Sequence, residues 1–175
     1  MRRLLAIVAA CLGLAGCAAD IPYETLEARY ASPASRYADL PGGIRAHYRD
    51  QGKADGPVLV MVHGFSASLH TWEPWVERLG ADYRIVSLDL PGHGLTRTPD
   101  GYATSLDGHV ATVEAVTHKL GLPPFVLIGN SMGGATAWNY ALAHPDRVRD
   151  LLATTGSRLD DAGLSLYRRL VSDPR

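Results

Sequence analysis

The chain has 175 residues, of which 46% are hydrophobic and 20% charged, and its formal net charge at pH 7 is -1. That balance suits one globular domain with a sizeable core, preceded by a short targeting segment. No basic run stands out, so the electrostatic footprint of a nucleic-acid binder is missing and nucleic acid is not expected as a partner.

Met1-Arg2-Arg3 supplies a positive start, and Leu4 through Ala15 is an uninterrupted stretch of apolar residues and glycine. This is the pattern of a secretory signal over residues 1–16. A membrane-spanning helix needs about 20 apolar residues, and here Asp20 and Pro22 arrive too soon, which makes a permanent anchor the weaker reading. Leu14-Ala15-Gly16-Cys17 resembles the bacterial lipoprotein lipobox. The resemblance implies lipidation of Cys17, with ordinary signal cleavage beside an incidental cysteine as the alternative. Ala18 after that cysteine implies delivery to an outer membrane, facing the periplasm, in a source that has one. The other cysteine, Cys11, lies in the segment that would be removed, so neither a disulfide framework nor a cysteine-based metal site is available.

Residues 17–34 are mixed in polarity without a sustained period and read as a tether to the membrane. Arg36 to Leu40 and Ile44 to Arg49 read as short strands around the turn signal Pro41-Gly42-Gly43, a hairpin that opens the sheet. The run Pro57-Val58-Leu59-Val60-Met61-Val62 has no polar alternation, as expected of a strand buried on both faces of a parallel sheet. After His63-Gly64-Phe65, the residues Trp72, Trp75, Val76 and Leu79 form a helical stripe, with Pro74 tolerated in the first turn.

The unit repeats. Tyr83 to Leu90 reads as a strand, Pro91-Gly92-His93-Gly94 as a loop, and Leu106, Val110, Val113, Thr117 and Leu120 as a second stripe, with a capping box expected from Thr104 and Asp107. Phe125 to Ile128 reads as the next strand, followed by a third helix with the stripe Ala135, Trp138, Asn139 and Leu142, and Val148 to Thr154 as a further strand. Alternating strands and helices predict an α/β fold: a mostly parallel, doubly wound sheet with flanking helices. In such sheets ligands bind beyond the carboxyl ends of the strands, where the loops at Gly64, Pro91 and Ser131 emerge.

Gly129-Asn130-Ser131-Met132-Gly133 fits G-x-S-x-G, with an apolar strand before it and an amphipathic helix after it. Such a turn lifts the serine hydroxyl clear of the sheet in a strained conformation, and its neighbours two residues away must be very small. Gly129 and Gly133 meet that need, and Gly134 is expected to let the helix lie close to the strand. The bland alternative is a serine in a glycine-rich turn with no catalytic duty. Attack on a carbonyl creates an oxyanion, for which the backbone N–H groups of Met132 and Phe65 are the expected donors, each typically worth about 2.7–4 kcal/mol of barrier.

His63-Gly64-Phe65, Asp89-Leu90-Pro91-Gly92-His93-Gly94, Gly129-Asn130-Ser131-Met132-Gly133-Gly134 and His144-Pro145-Asp146-Arg147-Val148 together resemble the successive signatures of the α/β-hydrolase superfamily, over about Arg36 to Thr155. The resemblance implies a serine hydrolase that acts on a small carboxylic ester or related acyl substrate through an acyl-enzyme, with no cofactor. The elbow is similar to that of carbon–carbon bond hydrolases of aromatic ring cleavage, an alternative within enzymes. Serine at 131 speaks against the dehalogenase and epoxide-hydrolase branches, which use a carboxylate nucleophile.

Chain order in this superfamily is serine, acid, histidine. Only His144 follows Ser131, in the His-Pro that ends the third helix, where the family carries a structural stop; Asp160, Asp161 and Asp173 follow the last strand in what resembles the start of a cap. None is assigned as acid or base. His63 and His93 border the expected pocket as loop-shaping residues, while His47, His70, His109 and His118 read as ordinary surface or helix positions, and no pair has zinc-ligand spacing. The domain of residues 35–175 is thus expected to be an incomplete α/β-hydrolase fold, truncated after about its sixth strand. Loss of the base in a triad costs on the order of 10⁶ in turnover, so the chain as written is expected to be nearly inactive. A non-catalytic binding module that keeps the fold is the competing class.

Overall fold

The computed structural model describes residues 20–154, and Cys17 and the aspartates after Thr154 lie outside them. The chain divides into a unit ending at Ala31 and a unit beginning at Ser32. The described part of the first unit is a helix, α1 (Tyr23–Tyr30), with no buried residue. No regular element is expected there from the sequence. No helix among the described residues is long and apolar enough to cross a membrane.

The second unit runs β1 (Ser35–Leu40), β2 (Ile44–Gly52), β3 (Val58–Val62), α2 (Glu73–Leu79), β4 (Arg84–Leu88), α3 (Leu106–Lys119), β5 (Phe125–Asn130), α4 (Met132–Ala143) and β6 (Val148–Thr154). The six strands form one sheet in the order β1-β2-β4-β3-β5-β6. β3 to β6 are parallel, and the β1–β2 hairpin joins antiparallel to β4. The doubly wound sheet opening with a hairpin is therefore as expected. β2 extends past Arg49 to Gly52 because its polar end pairs with β4, Gly52 opposite Arg84.

β3 shows why an unbroken apolar run is needed. Val58, Val60 and Val62 face a cluster with Val86, Leu88, Val113, Val116, Leu127 and Tyr140, whereas Leu59 and Met61 face Trp72, Trp75, Leu79, Ile85 and Ile128. Successive strand residues point to opposite faces, so a strand covered by helices on both sides has no polar position to spare. The two tryptophans meet edge to face, with ring centroids 5.4 Å apart.

Two helix faces differ from expectation. The cap of α3 is Ser105, not Thr104, and its side chain accepts the Gly108 N–H at 3.1 Å. Leu106 at the start of that stripe is exposed. In α4 the expected stripe is the outward one, with Trp138 59% and Leu142 67% exposed. The buried face is Gly133, Gly134, Thr136, Ala137 and Tyr140. Small residues in its first turn bring this helix onto the sheet, and Tyr140 fills the space further along the same face.

Candidate active site

β4 lies on one side of β3 and β5 on the other, so the chain reverses its winding direction between the crossovers. The carboxyl ends of β3 and β5 are adjacent and in register, Val62 opposite Gly129. This strand arrangement carries His63-Gly64-Phe65 to the side of Ser131. An alanine Cβ at position 64 would lie 3.4 Å from Ser131 Cβ and 2.7 Å from Asn130 Oδ1.

Ser131 has φ 50° and ψ -113° and immediately precedes α4. The only other non-glycine residue with positive φ among the described residues is Ser66, on the neighbouring loop. Such conformations cost about 1–3 kcal/mol and persist only where surrounding structure enforces them. The enforcement is steric. A Cβ at Gly129 would collide with the Gly133 carbonyl, and one at Gly133 with the carbonyl oxygens of Val62 and His63. Gly134 is different: its Cβ would sit 3.4 Å from the Gly129 oxygen and 3.6 Å from Ala153, in ordinary contact, so close packing does not require glycine there.

Ser131 is exposed. Met132, the first residue of α4, has an N–H with no intrahelical acceptor at the positive end of the helix. Phe65 is 75% exposed, and its ring meets His93 edge-on at 5.8 Å. His63 is wholly buried and spans two loops: its Nδ1–H donates to the Gly64 carbonyl at 2.7 Å, and its Nε2 accepts the Leu90 N–H at 3.0 Å. Both nitrogens are used in the neutral form, and burial holds its pKa below the ordinary imidazole value. No cis peptide occurs among the described residues. With the Gly64 carbonyl tied to His63, a trans peptide turns the Phe65 N–H to the opposite side. His63 thus fixes the orientation of this amide.

Asp89, directly after β4, is buried and accepts three bonds: from Leu69 N–H at 2.7 Å, from Leu95 N–H at 2.8 Å, and from His47 Nδ1–H at 2.7 Å. Burial alone would raise its pKa, but the His47 bond and the two backbone donors outweigh that and hold the carboxyl below its usual range. Its carboxylate ties the loop after β3 to the loop after β4. Gly94, at φ 53°, is needed because a Cβ there would fall on this carboxylate.

The histidines sort accordingly. His47 is a correction, being wholly buried beside Asp89 rather than at the surface. His109 is on a helix but only 5% exposed; burial lowers its pKa despite a bond to the Pro91 backbone, and its Nε2 has no partner among the described residues. His93 is half-buried between the rings of His63 and His109. His144 ends α4 and stacks on Tyr140 at 4.7 Å. It stands at the far end of a 12-residue helix from Ser131, about 18 Å along its axis. Among the described residues Ser131 Oγ has no hydrogen-bond partner. The Asp89 anchorage is the feature that sequence reading missed; the only signal was an aspartate closing an apolar strand before Pro-Gly.

A family model described as alpha/beta hydrolase fold matches residues 57–167. The chain is 32% identical over 111 residues to mouse epoxide hydrolase 4, covering 63% of this chain and 31% of that protein. It is 32% identical over 122 residues to an Acinetobacter baylyi (E)-2-((N-methylformamido)methylene)succinate hydrolase, covering 70% of this chain and 45% of the relative. Among solved structures, a probable hydrolytic enzyme of Pseudomonas aeruginosa superposes with a TM-score of 0.66 at 30% identity, over 77% of this chain and 45% of the other. The chain thus spans less than half the length of each of these proteins. With a sheet of this topology and a family match over more than half its length, the chain belongs to the α/β-hydrolase family.

Proposed function

We propose that Ser131 is the nucleophile of a serine hydrolase acting on a small carboxylic ester or related acyl substrate. The observation that carries this reading is its strained backbone at the carboxyl end of β5, held by Gly129 and Gly133 against β3. The hydroxyl oxygen adds to the acyl carbon, and the negative charge on the carbonyl oxygen is met by the N–H groups of Met132 and Phe65. The leaving alkoxide departs, and water then releases the acyl group from Ser131. Among residues 20–154 no base is hydrogen-bonded to Ser131, and this reading places the proton acceptor and its carboxylate partner outside them.

A second reading comes from the relative named as an epoxide hydrolase. Chemistry disfavours it. A carboxylate that opens an epoxide forms an ester that water can cleave, whereas a serine oxygen would form an ether with no route to release. A carbon–carbon bond hydrolase remains the alternative within acyl chemistry, because it also passes its acyl carbon through an oxyanion.

The test is incubation with an alkyl fluorophosphonate followed by peptide mapping. The expected result is a slow adduct on Ser131, absent from that peptide in Ser131→Ala. A folded chain that never carries the adduct at Ser131 would overturn the assignment.

We also propose export with lipidation at Cys17, residues 1–16 removed, and attachment to the periplasmic face of the outer membrane where the cell has one. Metabolic labelling with an alkyne fatty acid should mark the chain and fail in Cys17→Ser. Label retained in that variant would exclude this site.

A further inference from the structure

The structure assigns a second reactive hydroxyl: we propose that Ser35, coupled to His47 and Asp89, is an acyl-accepting serine that takes small activated acyl or phosphoryl groups, independently of Ser131.

The strand order places the three groups together. β2 lies between β1 and β4, so His47 on β2 has Ser35 of β1 on one side and Asp89, at the end of β4, on the other. Backbone pairing supports the arrangement, because Asp89 N–H donates to the His47 carbonyl at 2.9 Å. Thr96 adds a clamp: its Oγ1 donates to the Asp89 carbonyl at 2.6 Å and accepts the His47 N–H at 2.9 Å.

The protons can be placed. Asp89 accepts from Leu69 and Leu95, and its carboxyl is held in the ionised form. An ionised carboxylate at 2.7 Å requires the proton on His47 Nδ1. In the neutral imidazole Nε2 is then the acceptor, and Ser35 Oγ, which already accepts the Ser32 N–H, is the donor at 2.8 Å. The carboxylate and imidazole are buried while the serine is half-buried, so the hydroxyl is the end of the relay nearest solvent. Serine O–H to imidazole, and imidazole N–H to buried carboxylate, are the two bonds by which a serine hydroxyl is activated on unrelated folds. Ser131 has neither among the described residues.

The surroundings limit what the site does. Ser32 N–H donates to Ser35 Oγ at 3.1 Å, Ala34 N–H to Ser32 Oγ at 3.2 Å, and Ser35 N–H to the Ser32 carbonyl at 2.9 Å. These amides are committed locally, so they make no oxyanion hole, and acylation is stoichiometric rather than a turnover. In the step, Ser35 Oγ bonds to the acyl carbon or phosphorus, the bond to the leaving group breaks with its electron pair, and the hydroxyl proton passes to His47 Nε2. Asp89 stabilises the imidazolium until that proton passes to the leaving group or solvent.

The test uses the Ser131→Ala chain and a small dialkyl fluorophosphate, with the rate at each serine read by peptide mass spectrometry. General-base assistance is typically worth 10²–10⁴, so Ser35 should be modified about 10²-fold faster than the exposed Ser105. The advantage should vanish in urea and in His47→Gln on the same background. Equal native rates at Ser35 and Ser105 would overturn the proposal, as would a folded His47→Gln chain that modifies Ser35 as fast as before. Should that variant not fold, the native-against-urea ratio decides alone. Since Ser131 is absent throughout, the outcome does not depend on its assignment.

Discussion

Neighbouring glycines on the first turn of α4 should respond to alanine with opposite signs. At Gly133 the added Cβ would be driven into the carbonyl oxygens of Val62 and His63, both backbone atoms of β3 and its loop that cannot swing aside as a side chain could. Overpacking of this kind costs about 1–3 kcal/mol, against a helix-propensity gain of at most about 1 kcal/mol. At Gly134 the nearest atom would be 3.4 Å away, so only the favourable contribution remains. Alanine there should stabilise by about 0.4–1 kcal/mol, chiefly by restricting the unfolded chain. With a urea slope of about 2 kcal/mol/M, a clash near the upper end of the overpacking range, less the propensity gain, lowers the Gly133→Ala midpoint by about 1 M, and the Gly134→Ala midpoint should rise by roughly 0.2–0.5 M. Circular dichroism in a urea titration reads both. Equal losses in the two variants, or an unchanged midpoint in Gly133→Ala, would refute the claim that steric closure of the turn, rather than helix propensity, demands glycine.

Other outcomes follow from the anchors. Asp89→Asn places an amide N–H where a donor now points at the carboxylate, and leaving a buried hydrogen-bonding group unsatisfied costs about 1–3 kcal/mol; urea denaturation should show it. The pH dependence has a definite sign. Burial lowers the pKa of His63 and His109 in the fold, so the unfolded chain takes up their protons first, and stability should decline as pH falls below about 6.5. The depressed Asp89 carboxyl adds stability that is present above about pH 3.9 and lost as pH falls through its folded value. Urea midpoints from pH 7.5 down to 5 should therefore decrease, and less steeply in His63→Gln. That variant also frees the Gly64–Phe65 peptide, and its rate of phosphonate labelling at Ser131 should drop by about 10²–10³, the usual effect of one lost oxyanion donor. Trp138→Gln should change stability by no more than about 0.5 kcal/mol, because the ring faces outward; a loss above 2 kcal/mol would place it in the core.

Local chemistry made much of this molecule legible. The apolar run of β3, the tryptophan stripe of α2, the Pro-Gly-Gly hairpin and the glycine-flanked Ser131 each follow from residues within one element, because strand burial, helical period and turn sterics act over a few positions. Tertiary structure alone decided which face of α4 is inward. Hydropathy favours Trp138 and Leu142, yet the face of Gly133, Gly134, Thr136, Ala137 and Tyr140 is inward, because the first turn of the helix must sit on the turn at Ser131 and needs its smallest residues there. It also decided the pairing of His47 with Asp89, 42 positions apart in the chain. Nothing local to either residue specifies the other; the β2–β4 register does, and the burial that makes an unpaired charge costly is a property of the closed sheet rather than of the sequence around it.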